Sequence, residues 1–170
     1  PDGFNAMVPA ILILTLAWSL KAMTDSLGAA VFVENIIKTY AENLTVFLPA
    51  VIFVIAAFLA FATGTSWGTF GILIPIVVAV FQHTNYQMMV ISISACMAGA
   101  VCGDHCSPIS DTTIMASAGA QCSHVNHVST QLPYALMAAG VSFVTYIVAG
   151  FTRSAWISLP VGCLLMMAVV

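Results

Sequence analysis

Charge is what this sequence lacks most. Three Lys and Arg and six Asp and Glu leave 5% of its 170 residues charged, with a net charge of −3, against about 25% charged in an ordinary soluble domain. So little charge excludes a soluble globular protein, and the faintly acidic balance excludes a nucleic-acid or anionic-surface partner. The cations, Lys21, Lys38 and Arg153, are too few for the positive-inside rule to set an orientation. A P-loop, a dinucleotide fingerprint and a nucleophile elbow are also missing, so an enzyme has no motif to stand on. No segment of about ten residues alternates polar with apolar as barrel strands do, and no low-complexity tract or fixed-period repeat occurs. Five cysteines stand at irregular spacing, most in or beside apolar runs. They read as buried free thiols, acting as small hydrophobes, rather than as disulfide partners or zinc ligands.

What is present is apolar: 61% of the residues are hydrophobic. Uncharged runs cover Leu44 to Ala62, Gln87 to Gly103, Leu132 to Phe151 and Trp156 to Val170, each at or near the ~17 to 25 residues of a spanning helix. The expected class is an all-α integral membrane protein, a polytopic helical bundle. Residues 4–23 read as a further helix with Lys21 snorkelling at its end. Thr24, Asp25 and Ser26 interrupt it, and residues 27–40, with Glu34 and Lys38, read as an interfacial segment or a cavity rim. Pro1 opens the chain without a methionine and Val170 closes it inside an apolar run, so residues 1–170 are expected to be a single transmembrane domain cut from a longer chain.

Two places break this pattern. Thr63 to Thr69, TGTSWGT, holds two glycines and four hydroxyls, and the apolar run after it, Phe70 to Gln82, has 13 residues. At ~1.5 Å per residue that run reaches ~20 Å, short of a ~30 Å hydrocarbon core, which predicts a half-helix. After a polar turn at His83 to Tyr86, a helix from Gln87 to Cys102 carries Ser92, Ser94, Ala95, Ala98, Gly99 and Ala100, small residues that let membrane helices approach closely. The second break is CGDHCSPISDTT, Cys102 to Thr113. Pro108 disfavours helix at Ser107 and removes a backbone donor, so the helix ending near Gly103 should break there. Asp111 is suited to cap a short helix running through Ala118, and Gln121 to Gln131 read as a polar loop. Unwound backbone at membrane depth persists only where it is buried in protein or lines an aqueous cavity, and such breaks are where secondary transporters bind ions.

The second break also carries two carboxylates, each costing at least ~2.5 kcal/mol at the bilayer centre. Asp104 and Asp111 are seven residues apart with Pro108 between them, an arrangement that can face one cavity from both sides. An ionised Asp offers hard oxygen to a hard cation and loses its hold once protonated, which is all that exchange of a cation for a proton minimally requires. The blander alternative is that Asp111 is simply a helix cap. Ser107, Ser110, Thr112 and Thr113, with Thr63, Thr65, Ser66 and Thr69 of the first break, can complete an oxygen shell or serve as glue between helices. Trp67 reads equally as a wall of the site or an interfacial anchor. His105, beside Asp104, is a candidate proton relay or a packed structural histidine. His124 and His127, one turn apart, read as solvated or pH-sensing rather than catalytic.

Three strings together resemble a known family, the NhaC-type sodium/proton antiporters: Thr63 to Thr69 with Ile74 and Pro75; Gly103 to Thr113, GDHCSPISDTT; and Ser117 to Gly119 with Cys122, His124, His127 and Thr130 to Ala135, TQLPYA. The chain is similar to the C-terminal half of such a protein from about Asn5 to Phe151. The resemblance implies a multi-pass transporter of the bacterial or archaeal cytoplasmic membrane, with one half of an inverted repeat present and two discontinuous helices in it. It implies no cofactor beyond the transported Na+ and H+. The implied partners are the lipid bilayer and an N-terminal half, and a homodimer is also open. The expected function is exchange of sodium for protons at Asp104 and Asp111. Relatives that exchange malate for lactate, or move amino acids, make an ion-coupled organic-acid exchanger the alternative. A non-transporting scaffold or metal-binding module is the reading from another class.

Overall fold

A computed structural model describes residues 46–81 and 85–169, with scattered positions between 5 and 28. Lys21, Asp25, Glu34, Lys38 and His83, and with them residues 29–40 of the expected interfacial segment, lie outside the described residues. From Leu48 to Val169 the described residues form six helices and no strand: α1 Leu48–Thr63, α2 Ser66–Phe81, α3 Tyr86–Cys106, α4 Asp111–Gly119, α5 His124–Thr152 and α6 Ala155–Val169. Two of them, α3 and α5, are long and apolar enough to cross a membrane, while α1, α6 and residues 66–78 of α2 are shorter apolar helices.

Local sequence sets these limits. Pro49 falls in the first turn of α1, where its missing N–H has no partner to lose, and Gly64 closes the helix in the left-handed region at φ 66°. Asn85 caps α3 by accepting from the Met88 N–H at 3.1 Å. Arg153 closes α5 in the left-handed region, its N–H on the Ala149 carbonyl at 2.8 Å, and sets a cation at the negative end of the helix dipole.

The core lies where α3 crosses α1 and α2, built from Leu48, Ile52, Leu73, Val77, Met88 and Cys96 among others. α3 packs chiefly on α1, then on α2 and α5. A Cβ on Gly99 would fall inside the Phe53 carbonyl, and one on Gly103 inside the Ala57 carbonyl. The two glycines thus bring the α3 backbone against α1 at two points one turn apart, the close approach that small residues permit between membrane helices. By contrast α5 and α6 leave Val125, Tyr134, Leu136, Trp156 and Leu164 more than half exposed. Apolar surface on that scale suits lipid or other protein rather than water.

Ser92, fully buried on α3, has a hydroxyl without a hydrogen bond among the described residues. Ser92→Ala should therefore cost no stability and add up to about 1 kcal/mol, since it removes an unsatisfied buried donor. A thermal melt followed by tryptophan fluorescence checks this, and a clear drop in melting temperature would show that the hydroxyl has a partner.

Candidate functional site

The two breaks read from the sequence meet in space. α1 stops at Gly64 and α2 restarts at Ser66, so the first break is shorter than the TGTSWGT string suggests and most of that string is helical. α3 runs to Cys106, where Ser107 turns extended at φ −75° and ψ 130°, as the residue before a proline does. A Cβ on Gly64 would lie 2.7 Å from the Ile109 carbonyl oxygen. The Ser107 hydroxyl donates to the Phe61 carbonyl at 2.8 Å and accepts from the Ile109 N–H at 3.3 Å. The last turn of α1 is thus bonded directly to the α3–α4 break.

Asp104 sits one turn before that break. It continues the buried stripe Met88, Ser92, Cys96, Ala100 of α3 and is itself 3% exposed. Ser110 donates to its Oδ1 at 2.7 Å. Because that bond takes the single proton of Ser110, the Thr112 hydroxyl must be the donor in the 2.7 Å bond between the two side chains. Ser110 Oγ also accepts from the Thr112 N–H at 3.2 Å, which makes Ser110 the N-cap of α4. The expectation that Asp111 caps this helix is thereby corrected. Ser110 wins because its short side chain, one position earlier, reaches the free N–H, while Asp111 already belongs to the first turn. Among the described residues Arg153 is the one Lys or Arg, and no ion pair reaches Asp104. Its carboxylate receives the Ser110 hydrogen bond and no other among these residues.

The backbone of the break can be accounted for oxygen by oxygen. The Asp104 carbonyl accepts from the Ser107 N–H at 3.0 Å and the Ser107 carbonyl from the Ser110 N–H at 3.3 Å. The His105 carbonyl accepts from the buried Thr113 hydroxyl at 3.4 Å, and the Pro108 carbonyl bonds to His124 Nε2 at 2.6 Å. The Cys106 and Ile109 carbonyls have no hydrogen-bond partner among the described residues. Carboxylate, hydroxyl and free carbonyl oxygens together are the donors a hard cation takes. No group of three His, Cys, Asp or Glu side chains gathers among the described residues.

Of the residues singled out in the sequence, the fold joins Asp104, Ser110 and Thr112 directly and sets Ser107 and Thr113 on the adjoining backbone. It does not join the others to them. Asp111 is exposed. Thr65 accepts from the Gly68 N–H at 3.4 Å and buried Thr69 donates to the Thr65 carbonyl at 3.0 Å, bonds local to the start of α2, where Ser66 is half-buried. Thr63 likewise turns its hydroxyl back to the Leu59 carbonyl at 2.8 Å. His105 donates from Nδ1 to the Val101 carbonyl at 2.9 Å and lines an open groove of about 830 Å³ between α3 and α5, a groove that Asp104 does not line. Trp67 is 82% exposed, with its ring 5.8 Å from that of Phe70. The region expected to be a loop at 121–131 is helical from His124 onward, and this is what brings His124 to the break.

Over residues 1–151 the chain matches the family described as the Na+/H+ antiporter family. A Haemophilus influenzae protein described as an uncharacterized protein is 46% identical over 153 residues, 89% of this chain and 29% of that protein. The Malate-2H(+)/Na(+)-lactate antiporter of Bacillus subtilis is 29% identical over 151 residues, 88% of this chain and 31% of that protein. The chain thus spans about three tenths of the length of these relatives. No solved structure matches it. The family match takes in both breaks, Asp104 and the residues bonded to it: the chain belongs to the Na+/H+ antiporter family.

Proposed function

We propose that this chain carries the coupling site of a secondary antiporter that exchanges Na+ for H+ across a bacterial or archaeal cytoplasmic membrane. In this reading Asp104 holds the sodium ion or the proton in turn. The observation that supports it is the placement of Asp104, a carboxylate buried at the meeting of two helix breaks with one hydroxyl bond and no cation paired to it among the described residues. An ionised carboxylate so placed is costly unless a positive charge joins it, and a sodium ion and a proton each meet that need. Ser110, Thr112 and the Cys106 and Ile109 carbonyls complete the shell, with Ser107 and Thr113 fixing the backbone from which they project. In this reading Thr65, Ser66 and Thr69 contribute further oxygens from the start of α2, and Asp111 from the exposed first turn of α4. α1 with α2, and α3 with α4, act as two discontinuous membrane helices of one half of an inverted repeat. Alternating access opens the site to one side at a time.

A second reading is supported by the Bacillus subtilis relative, whose description couples sodium and protons to malate and lactate. There the same cation site serves an organic anion bound nearby. One assay separates the two. In proteoliposomes loaded with a pH-sensitive dye, an imposed sodium gradient should drive proton movement without any organic anion present. Proton movement that starts only when malate or lactate is added favours the second reading, and a lack of response to sodium in both conditions overturns both.

A further inference from the structure

We infer that His124 positions the α3–α4 break for cation binding by holding the Pro108 carbonyl, an inference that rests on the reading of Asp104 as the cation carrier. His124 is the first residue of α5 and is half-buried. Its Nε2 lies 2.6 Å from the Pro108 carbonyl oxygen and its Nδ1 lies 3.1 Å from Ser117 Oγ on α4. A carbonyl only accepts, so Nε2 carries the hydrogen. The other bond adapts to the charge of the ring: Ser117 donates to Nδ1 of a neutral imidazole, and turns its proton to the Ile114 carbonyl, 2.9 Å away, when Nδ1 is protonated. The grip on Pro108 therefore persists in both charge states, which makes His124 a fixed brace rather than a switch.

The grip matters because of what lies next to it. Pro108 has no N–H with which to tie the break down, and Pro108 is two residues before Ser110, the residue that donates to Asp104. The turn from the Ser107 carbonyl to the Ser110 N–H, at 3.3 Å, is long for a hydrogen bond of this kind. One imidazole thus links α5, α4 and the apex of the break, and it sets where Ser110 and the Ile109 carbonyl stand relative to the carboxylate. Its effect on sodium binding passes through those groups.

The test compares wild type, His124→Ala and His124→Gln in proteoliposomes, with Asp104→Asn alongside. Both the sodium concentration for half-maximal exchange and the maximal rate are measured. His124→Ala should raise the half-maximal sodium concentration about fivefold or more, the scale of one lost hydrogen bond, with the maximal rate within about twofold of wild type. His124→Gln, whose amide N–H can replace Nε2–H, should return it to within about twofold of wild type. Unchanged sodium dependence in His124→Ala overturns the inference, and so does a Gln variant as impaired as the Ala variant. If His124→Ala does not yield folded protein, the Gln variant decides alone: near-normal sodium dependence supports the brace and a shift beyond about fivefold overturns it. Asp104→Asn keeps the two layers apart. If it retains sodium exchange, the coupling-site reading fails; if it abolishes exchange while His124→Ala is normal, only the brace fails.

Discussion

Asp104→Asn is expected to abolish sodium-driven proton movement in proteoliposomes while leaving the protein folded. Asn has nearly the volume of Asp, and its Oδ1 can still accept the Ser110 hydroxyl bond of 2.7 Å, so the α4 cap and the closed break survive. What disappears is the charge and the ability to take up a proton. A unit charge about 4 Å from a cation at an effective dielectric near 20 is worth about 4 kcal/mol, or about a thousandfold in affinity. Such a loss takes sodium binding out of any working concentration range. Asp104→Glu keeps the charge but forces an extra methylene into a buried position, at a cost of about 1 to 3 kcal/mol in strain; residual exchange with a raised sodium requirement is the expected result. Sodium-dependent flux of normal size in Asp104→Asn would remove Asp104 from its assigned role.

The second large effect is structural and concerns a residue type that carries no chemistry. Gly99→Ala and Gly103→Ala each place a methyl group into a backbone carbonyl of α1, at Phe53 and at Ala57. Neither obstacle is the flexible tip of a side chain, so the helices must separate. Overpacking of this kind costs about 1 to 3 kcal/mol per site. The two sites share one interface, so their effects are coupled rather than independent, and the double variant should fail to accumulate as folded protein. The controls are Gly71 and Gly140, which also lie in helices but where an added Cβ meets nothing within 4 Å. There replacement by Ala should be neutral or stabilising by up to about 1 kcal/mol, through helix propensity alone. Size-exclusion profiles and melting temperatures of the four single variants check the contrast. Equal behaviour of all four would mean that α1 and α3 are not in close contact. A milder outcome at Gly103 is informative as well, since a small separation there displaces its neighbour Asp104 before the fold is lost.

The sequence was most legible where a residue acts through its own backbone. Pro108 disfavours helix just before itself, and the break does fall at Ser107, although the helix runs to Cys106 rather than ending near Gly103. The apolar runs foretold α1, α3, α5 and α6 to within a few residues at most of their ends, because length and hydropathy are local properties. The polar stretch 121–131 reads as loop only if polarity marks the end of a helix, and α5 starts within it at His124. Ser123 followed by His124 is an acceptable helix start, and Val125 and Val128 supply apolar positions at helical spacing, so a pattern reading would have begun α5 earlier and placed His124 on it. The break at Gly64 is shorter than TGTSWGT suggested, since hydroxyl side chains at a helix start can bond locally, as Thr65 and Thr69 do. Choosing between Asp111 and Ser110 as the cap needed side-chain geometry. The bond from Ser107 to Phe61 spans 46 residues, and no local pattern signals such a contact. The sequence thus showed two suspicious breaks and two acids, while the meeting of the breaks and the burial of one acid are properties of the tertiary fold.

Sodium binding to the purified protein, measured by isothermal titration in buffers of different ionisation heat, tests the exchange of proton for cation at Asp104 most directly. Competition between a proton and sodium for one carboxylate predicts that, wherever the site is protonated, each sodium bound releases a proton and the apparent Kd rises about tenfold for each unit by which the pH falls, and that Asp104→Asn shows neither binding heat nor proton release. Sodium binding that is independent of pH, or that persists in Asp104→Asn, would contradict it.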